Sequence, residues 1–323
     1  MSQLFDNQSK ILVIQTAYIG DVILATPMAI AIQKKFPSCT IDYLVKKGNE
    51  GLLANHPNIR NVISFDKKHK RKSIKQVVSE IRKEKYDVVI NLHRFLSSGI
   101  ITAMSGAKCK IGFKKNPLSW NYHFAFPHHI GYGIHEVDRN LSLLTHFDIH
   151  EKANPLVVPT PEDFKAIEKY AHKPYDCLAP ASIWATKQLP VKKWVKLIGK
   201  LDGYVYLIGG PNDHDLCEEI RKKSKNPKVL NVAGKLKIME SIALMKLAKR
   251  NYVNDSGPMH FASAVNAPVT VFYCSTLPEF GFGPLSDDSV IKEVPDLPCR
   301  PCGLHGKKSC PEVHFRCGND MVI

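Results

Sequence analysis

ILVIQTAYIGDVILATPMA, residues 11–29, sets the architecture of the chain. Ile11–Gln15 is a continuous run of strand length, the pattern of a strand buried on both faces in a parallel sheet. A short loop, Thr16–Gly20, follows. From Asp21 onward Val22, Ile23, Ala25, Ala29, Ile30 and Ile32 give one apolar helical face. Pro27 falls in the early turns of that helix, where proline is best tolerated, and Pro37 closes the segment. A buried strand feeding a short loop and a helix opens a doubly wound α/β domain. Such domains bind ligands at the carboxyl ends of their strands.

The same alternation runs outward from this unit. Thr40–Val45, Val62–Phe65 and Asp87–Leu92 read as strands, Lys108–Phe113 as an edge strand, and Ser73–Glu84 and Glu136–Phe147 as helices. Asn154–Pro161 carries Pro155, Pro159 and Pro161 and no period, which marks a linker. Alternation then restarts. Strands are predicted at Asp176–Ala179, Tyr204–Ile208, Val229–Val232, Asn251–Val253 and Val269–Tyr273. Helices are predicted at Val191–Leu201, Asp213–Lys223, Met239–Leu247 and Met259–Val265. Beyond Tyr273 the chain is rich in Pro, Gly and Cys and reads as mostly irregular.

A length of 323 residues suits two α/β domains, expected over 1–155 and 156–323, each of about 150 residues. No segment reaches the ~20 apolar residues of a spanning helix, and the polar start is unlike a secretory signal. A cytoplasmic chain is expected, touching a membrane only from its surface. The net charge of +15 can attract anionic lipid, acidic substrates or nucleic acid, or can simply be a basic surface. No RNA-binding signature accompanies it, so no nucleic-acid partner is expected. Nine cysteines, an odd number, point to reduced thiols rather than a disulfide framework.

Three segments carry chemistry. In the first, Gly20 permits a tight turn and close backbone approach. Asp21 fits a helix cap as well as a carboxylate facing a ligand. This is not G-x-G-x-x-G, which argues against a dinucleotide cofactor and an oxidoreductase. In the second, residues 254–260, Ser256 and Gly257 would offer donors to a diphosphate at a helix N-terminus. Asp255 would orient that loop and His260 would reach a phosphate or ribose, or the segment is a capped turn beside a core histidine. In the third, residues 181–190, Ser182, Thr186 and Lys187 would meet a leaving phosphate, the lysine as a point charge, or form an ordinary solvated loop.

Taken together, TAYIGDVILATPMA (16–29), ASIWATKQLP (181–190) followed by Trp194, and NDSGPMHFASAV (254–265) followed by Pro268 and Val269 resemble glycosyltransferase family 9. These are the ADP-heptose:lipopolysaccharide heptosyltransferases, and the resemblance covers nearly the whole chain. It implies an α/β GT-B fold, with two Rossmann-like domains facing each other across a cleft, acceptor domain first and nucleotide-sugar domain second. It implies inverting transfer of heptose from ADP-heptose to the Kdo/heptose inner core of lipopolysaccharide, at the inner face of the cytoplasmic membrane of a Gram-negative cell. Asp21 matches the proposed general base. Ser182, Thr186 and Lys187, with Asp255, Ser256, Gly257 and His260, would hold the ADP as charge builds on it. No metal or other cofactor is implied. A member using another nucleotide sugar or a later core acceptor is the alternative.

The resemblance also directs Gly20, Lys70 and Arg71 in the run Lys67–Lys72, Arg94 after Asn91 and His93, and Arg139 toward the anionic acceptor, with its Kdo carboxylates and lipid A phosphates. Arginine suits that task because it binds carboxylates bidentately. Gln188 stands where many relatives have Arg, and Ile183–Trp184 replaces hydroxyls that some relatives place at the phosphate. Asp213–His214–Asp215 is a D-x-D of the kind that holds a donor metal, but its place at the start of a helix accounts for the acids. Cys299, Cys302, Cys310 and Cys317, spaced C-x2-C-x7-C-x6-C, either form a structural metal site or remain free thiols.

Overall fold

A computed structural model describes residues 6–131 and 133–323. The chain divides after Val158, inside the proline-marked stretch, into two compact units.

The first unit holds β1 (Lys10–Gln15), β2 (Thr40–Lys46), β3 (Asn61–Phe65), β4 (Val88–Asn91), β5 (Cys109–Phe113) and β6 (Phe124–Phe126). They form one parallel sheet in the order β3-β2-β1-β4-β5-β6. β1 is central, with Ile11 opposite Ile41 on one side and Val88 on the other. Ile11, Leu12, Val13 and Ile14 are wholly buried, because helices cover both faces. Those helices are α1 (Ile19–Ile23), α2 (Thr26–Lys35), α3 (Lys70–Glu84), α4 (Leu96–Met104) and α5 (Glu136–Leu141). α3 turns Ser73, Val77, Val78 and Ile81 inward.

The second unit holds β7 (Tyr175–Ala179), β8 (Tyr204–Leu207), β9 (Val229–Asn231), β10 (Asn251–Asn254), β11 (Val269–Tyr273) and β12 (Ser289–Glu293). Its parallel sheet runs β9-β8-β7-β10-β11-β12, the same winding as in the first unit. α6 (Pro161–Ile167), α7 (Val191–Ile198), α8 (His214–Ser224), α9 (Ile238–Leu247), α10 (Gly257–Ala264) and α11 (Arg316–Asn319) complete it. Trp194 is fully buried and meets Phe272 edge-on at 5.4 Å. In each unit the winding reverses between the first and fourth strands, at β1/β4 and β7/β10. That switch is where doubly wound sheets bind ligands.

Four expectations are corrected. The helix expected from Asp21 is two helices, α1 and α2, with Pro27 in the first turn of the second. A continuous helix would clash the Pro27 ring against the carbonyl of Ile23. The Thr26 hydroxyl donates to that carbonyl at 2.8 Å instead. Gly20 lies inside α1, so it is not a turn residue. β5 is not an edge strand, because β6 pairs outside it. The expected helix 136–147 is short and gives way to a 3-10 turn at Thr145–Phe147.

Candidate active site

At the β1/β4 switch the two loops are tied together by Thr16 Oγ1 and His93 Nδ1, 3.0 Å apart. Burial, then the charges of Lys67 and Arg94, push His93 down to about 3, so its ring is neutral. Asp21 sits on α1, and its Oδ2 accepts the Tyr18 N–H at 3.1 Å, capping the helix. No side chain among the described residues bonds its other oxygen. Burial, then the charge of Glu136, raises Asp21 to about 6; the Tyr18 N–H and the Arg94 charge pull against them. A carboxyl that titrates near neutrality is both strong enough and free enough to act as a base.

The basic groups divide into two sorts. Arg94 donates to His128 Nδ1 at 3.0 Å, and His128 Nε2 lies 3.4 Å from Glu136 Oε1. Glu136 in turn accepts from Arg139 Nε at 2.7 Å. Burial pushes Glu136 up, but the bonds and charges of His128 and Arg139 outweigh it and hold the carboxyl below its usual range. Arg139, expected to meet the acceptor, is buried and also donates to the Ile134 carbonyl. It belongs to the support under Arg94. Lys70 and Arg71 are exposed in the first turn of α3, and the run Lys67–Lys72 lines an open basin of about 590 Å³. Lys67, not singled out above, is the member whose charge reaches Asp21. Burial, then Lys46 and Lys70, draw its ammonium below its usual range, against the pull of Asp21.

At the β7/β10 switch Asn254 does the tying. Its Oδ1 accepts the Leu189 N–H at 3.0 Å and its Nδ2 donates to the Pro180 carbonyl at 2.8 Å. Lys187 Nζ lies 2.6 Å from Asp255 Oδ2, and the Thr276 hydroxyl donates to the same oxygen at 2.6 Å. Ser256 is the N-cap of α10, so its N–H and that of Gly257 lie at the positive end of the helix. Pro258 in the first turn lacks an N–H and costs that turn nothing. His260 is buried on α10. Ser182 is partly exposed, and its carbonyl accepts from Gln188 Nε2 at 2.7 Å.

Thr186 departs from its expected role. It is buried, its Oγ1 lies 3.0 Å from Ser275 Oγ, and the Lys307 N–H donates to it at 2.7 Å. The hydroxyl fastens the loop to the tail, where a Cβ on Gly306 would lie 2.5 Å from Trp184 Cβ. Among the described residues no group of His, Cys, Asp or Glu is arranged to hold a metal ion, although Cys317 feels the charges of three other tail cysteines. Cys317 faces the hydrophobic core with Cys299 against it, and burial, then the charges of Cys302, Cys310 and Cys299, raises its thiol to about 11. All nine cysteines are free.

Residues 74–313, most of the chain, match the family model for glycosyltransferase family 9 (heptosyltransferase). The chain belongs to that family. Curated relatives include lipooligosaccharide heptosyltransferase 2 of Haemophilus influenzae, 27% identical over 87% of this chain and 88% of that one. Lipopolysaccharide heptosyltransferase 1 of Pseudomonas aeruginosa is 24% identical over 93% of this chain and 87% of that one. Among solved structures, E. coli ADP-heptose lps heptosyltransferase II superposes with a TM-score of 0.77 at 20% identity, covering 96% of this chain and 98% of that one. A family 9 glycosyl transferase from Veillonella parvula gives 0.78 at 20% identity, over 88% and 85%. These last two bear on the fold, which is that of the GT-B heptosyltransferases. Membership makes the chain a glycosyltransferase of the heptosyltransferase family. The two switch points are then where family 9 chemistry is to be sought.

Proposed function

We propose that this family 9 enzyme transfers heptose from ADP-heptose, with inversion, to the Kdo/heptose inner core of lipopolysaccharide. Asp21 takes the proton of the attacking acceptor hydroxyl. The observation that carries the reading is the Asp21 carboxyl, raised to about 6 at a switch point with one oxygen unbonded by any side chain among the described residues. An inverting transfer needs one such base, and its negative charge also stabilises an oxocarbenium-like transition state. In the second unit the Lys187 ammonium and the N–H groups of Ser256 and Gly257 receive the ADP diphosphate as charge builds on the leaving group. ADP leaves as product, and no metal or other cofactor is required. Lys70, Arg71 and Arg94 draw the anionic acceptor, with Arg139 holding Arg94 through Glu136 and His128.

The enzyme acts on the cytoplasmic side as a peripheral protein, with no nucleic-acid partner. No helix among the described residues is long and apolar enough to cross a membrane. The test is ADP release from ADP-heptose with and without Kdo-bearing lipid A, with the anomeric configuration of the product read by NMR. Release that needs both substrates and collapses in Asp21→Asn supports the reading. Release with retention, or untouched by Asp21→Asn, overturns the assignment of the base. A second reading, with another nucleotide sugar or a later core acceptor, is favoured by one observation. Gln188 bonds the Ser182 carbonyl and leaves no arginine at that point of the loop. Competition among nucleotide sugars for the donor site separates the two.

A further inference from the structure

α3 and α4 lie side by side on the first unit, joined where Arg82 Nε donates to the Met104 carbonyl at 2.8 Å. Between them runs a groove of about 780 Å³. Arg71, Lys75, Val78 and Arg82 follow one another at four, three and four residues along α3, so they share one face of that helix. Leu96, Ile100 and Met104 recur every four residues along α4 and form an apolar stripe. Ile74, Val78, Ile100 and Met104 thus make an apolar floor, while Arg71, Lys75, Arg82 and Lys83 make a cationic rim. The acids of α3 keep away from it: Glu80 lies half a turn round from Arg71, and Glu84 is bonded to Arg60 at 2.8 Å. Phe95 and Leu96 at the start of α4, and Met104 in the groove floor, remain largely exposed.

We propose that this groove docks the enzyme on a bilayer surface of anionic phospholipid, with headgroup phosphates on the rim and the apolar stripe in the acyl boundary. A cationic face beside an apolar one is the composition of an interfacial helix. A nucleic acid would satisfy the rim and leave the stripe in water. The inference rests on the peripheral reading above and not on the transfer chemistry, so the two fail separately. The groove adjoins the Lys67–Lys72 basin through Arg71, which lines both. Docking there brings the basic run to the headgroup plane.

The test is flotation of the whole protein with vesicles of phosphatidylglycerol mixed into phosphatidylcholine, against phosphatidylcholine alone. Wild type is expected to float with the anionic vesicles only. Lys75→Glu/Lys83→Glu and, separately, Ile100→Ser/Met104→Ser are each expected to weaken partition by about tenfold or more. Lys192→Glu/Lys222→Glu, an equal charge change in the second unit, is expected to leave it unchanged. Transfer to a soluble, deacylated acceptor is expected to be the same in every variant, which verifies folding. Three results would overturn the proposal. One is wild type that ignores the anionic vesicles. Another is groove variants that bind as wild type does. The third is loss in the charge pair with full binding in the apolar pair, which marks a site for polyanions.

Discussion

Asp21 and Asp255 each stand at the reversal of a doubly wound sheet, Asp21 in α1 after the first strand of its unit and Asp255 directly after the fourth strand of the other, and their surroundings differ. Asp21 accepts the Tyr18 N–H, and no cation among the described residues pairs with it; Arg94 is bonded to His128 instead. Asp255 is gripped by the Lys187 ammonium and the Thr276 hydroxyl, both at 2.6 Å on one oxygen. Each switch point carries a carboxylate, and the neighbours decide what it does. A bare, desolvated carboxyl is poised to take a proton. A paired one fixes a lysine in place for an anion.

The sharpest way to break this contrast is to neutralise each acid. Asp21→Asn is expected to lower kcat by a factor of about 10² to 10⁴, the range for loss of a general base, with ADP affinity unchanged by calorimetry. Asp255→Ala should do the reverse in kind. It strands Lys187 in a mostly buried position, costs about 3 kcal/mol of stability and weakens ADP binding. Equal effects of the two on kcat would erase the distinction between base and clamp.

pH sharpens it further. With Asp21 at about 6, kcat/KM should fall on the acid side of that value, and this limb should vanish in Asp21→Asn. Stability moves in the opposite sense. The folded value lies above the unfolded one, so the neutral carboxyl's contribution is complete below the unfolded pKa and lost as pH rises through about 6. At pH values above neutrality Asp21→Asn is therefore expected to be more stable than wild type by about 2 kcal/mol, discounted for partial exposure, with no difference in strong acid. Denaturant melts at the two extremes check the sign.

The sequence carries some of this contrast on its face. ILVIQ announces a buried strand, and the loops and helix starts that follow strands hold the ligand residues of such a fold, so Asp21, Lys187 and Asp255 are legible from local pattern. Arg139 is taken by neighbours within five residues, Glu136 and the Ile134 carbonyl, whereas Thr186 is fastened from far away. The bond from the Lys307 N–H spans 121 positions to Thr186, and nothing near either residue foretells it. α4 escaped notice because Leu96–Met104 is apolar on most sides and Phe95 offers no capping oxygen. The break between α1 and α2 was written in Pro27, which falls within a turn or two of either a helix start or a helix interior. Tertiary packing chose the first.

The tail gives a smaller effect. Gly306→Ala would set a Cβ 2.5 Å from Trp184 Cβ and 2.8 Å from Lys187 Cγ, so the donor loop must shift. A cost of about 1 kcal/mol in stability is expected, as for a mildly overpacked core. ADP affinity should fall several-fold, while the pH limb assigned to Asp21 stays where it is. Unchanged ADP affinity in a variant that melts earlier would separate the tail from the donor loop.

The smallest expected effect tests the largest chemical assumption. Asp213 and Asp215 form a D-x-D, but Asp213 Oδ2 accepts the Gly210 N–H at 2.8 Å. Asp215 projects fully into solvent, where His214 approaches at 3.3 Å. Residues two apart at a helix start point to different sides, so the two carboxylates do not converge on one ion. Asp215→Ala is therefore expected to leave both the transfer rate and Tm at wild-type values, and a chelator is expected to leave the rate unchanged. A rate that fell in Asp215→Ala, and returned with added Mn²⁺ in the wild type after chelation, would give the leaving diphosphate to a metal. Lys187 would then be a structural partner of Asp255 and nothing more, and the contrast between the two aspartates would lose its second half.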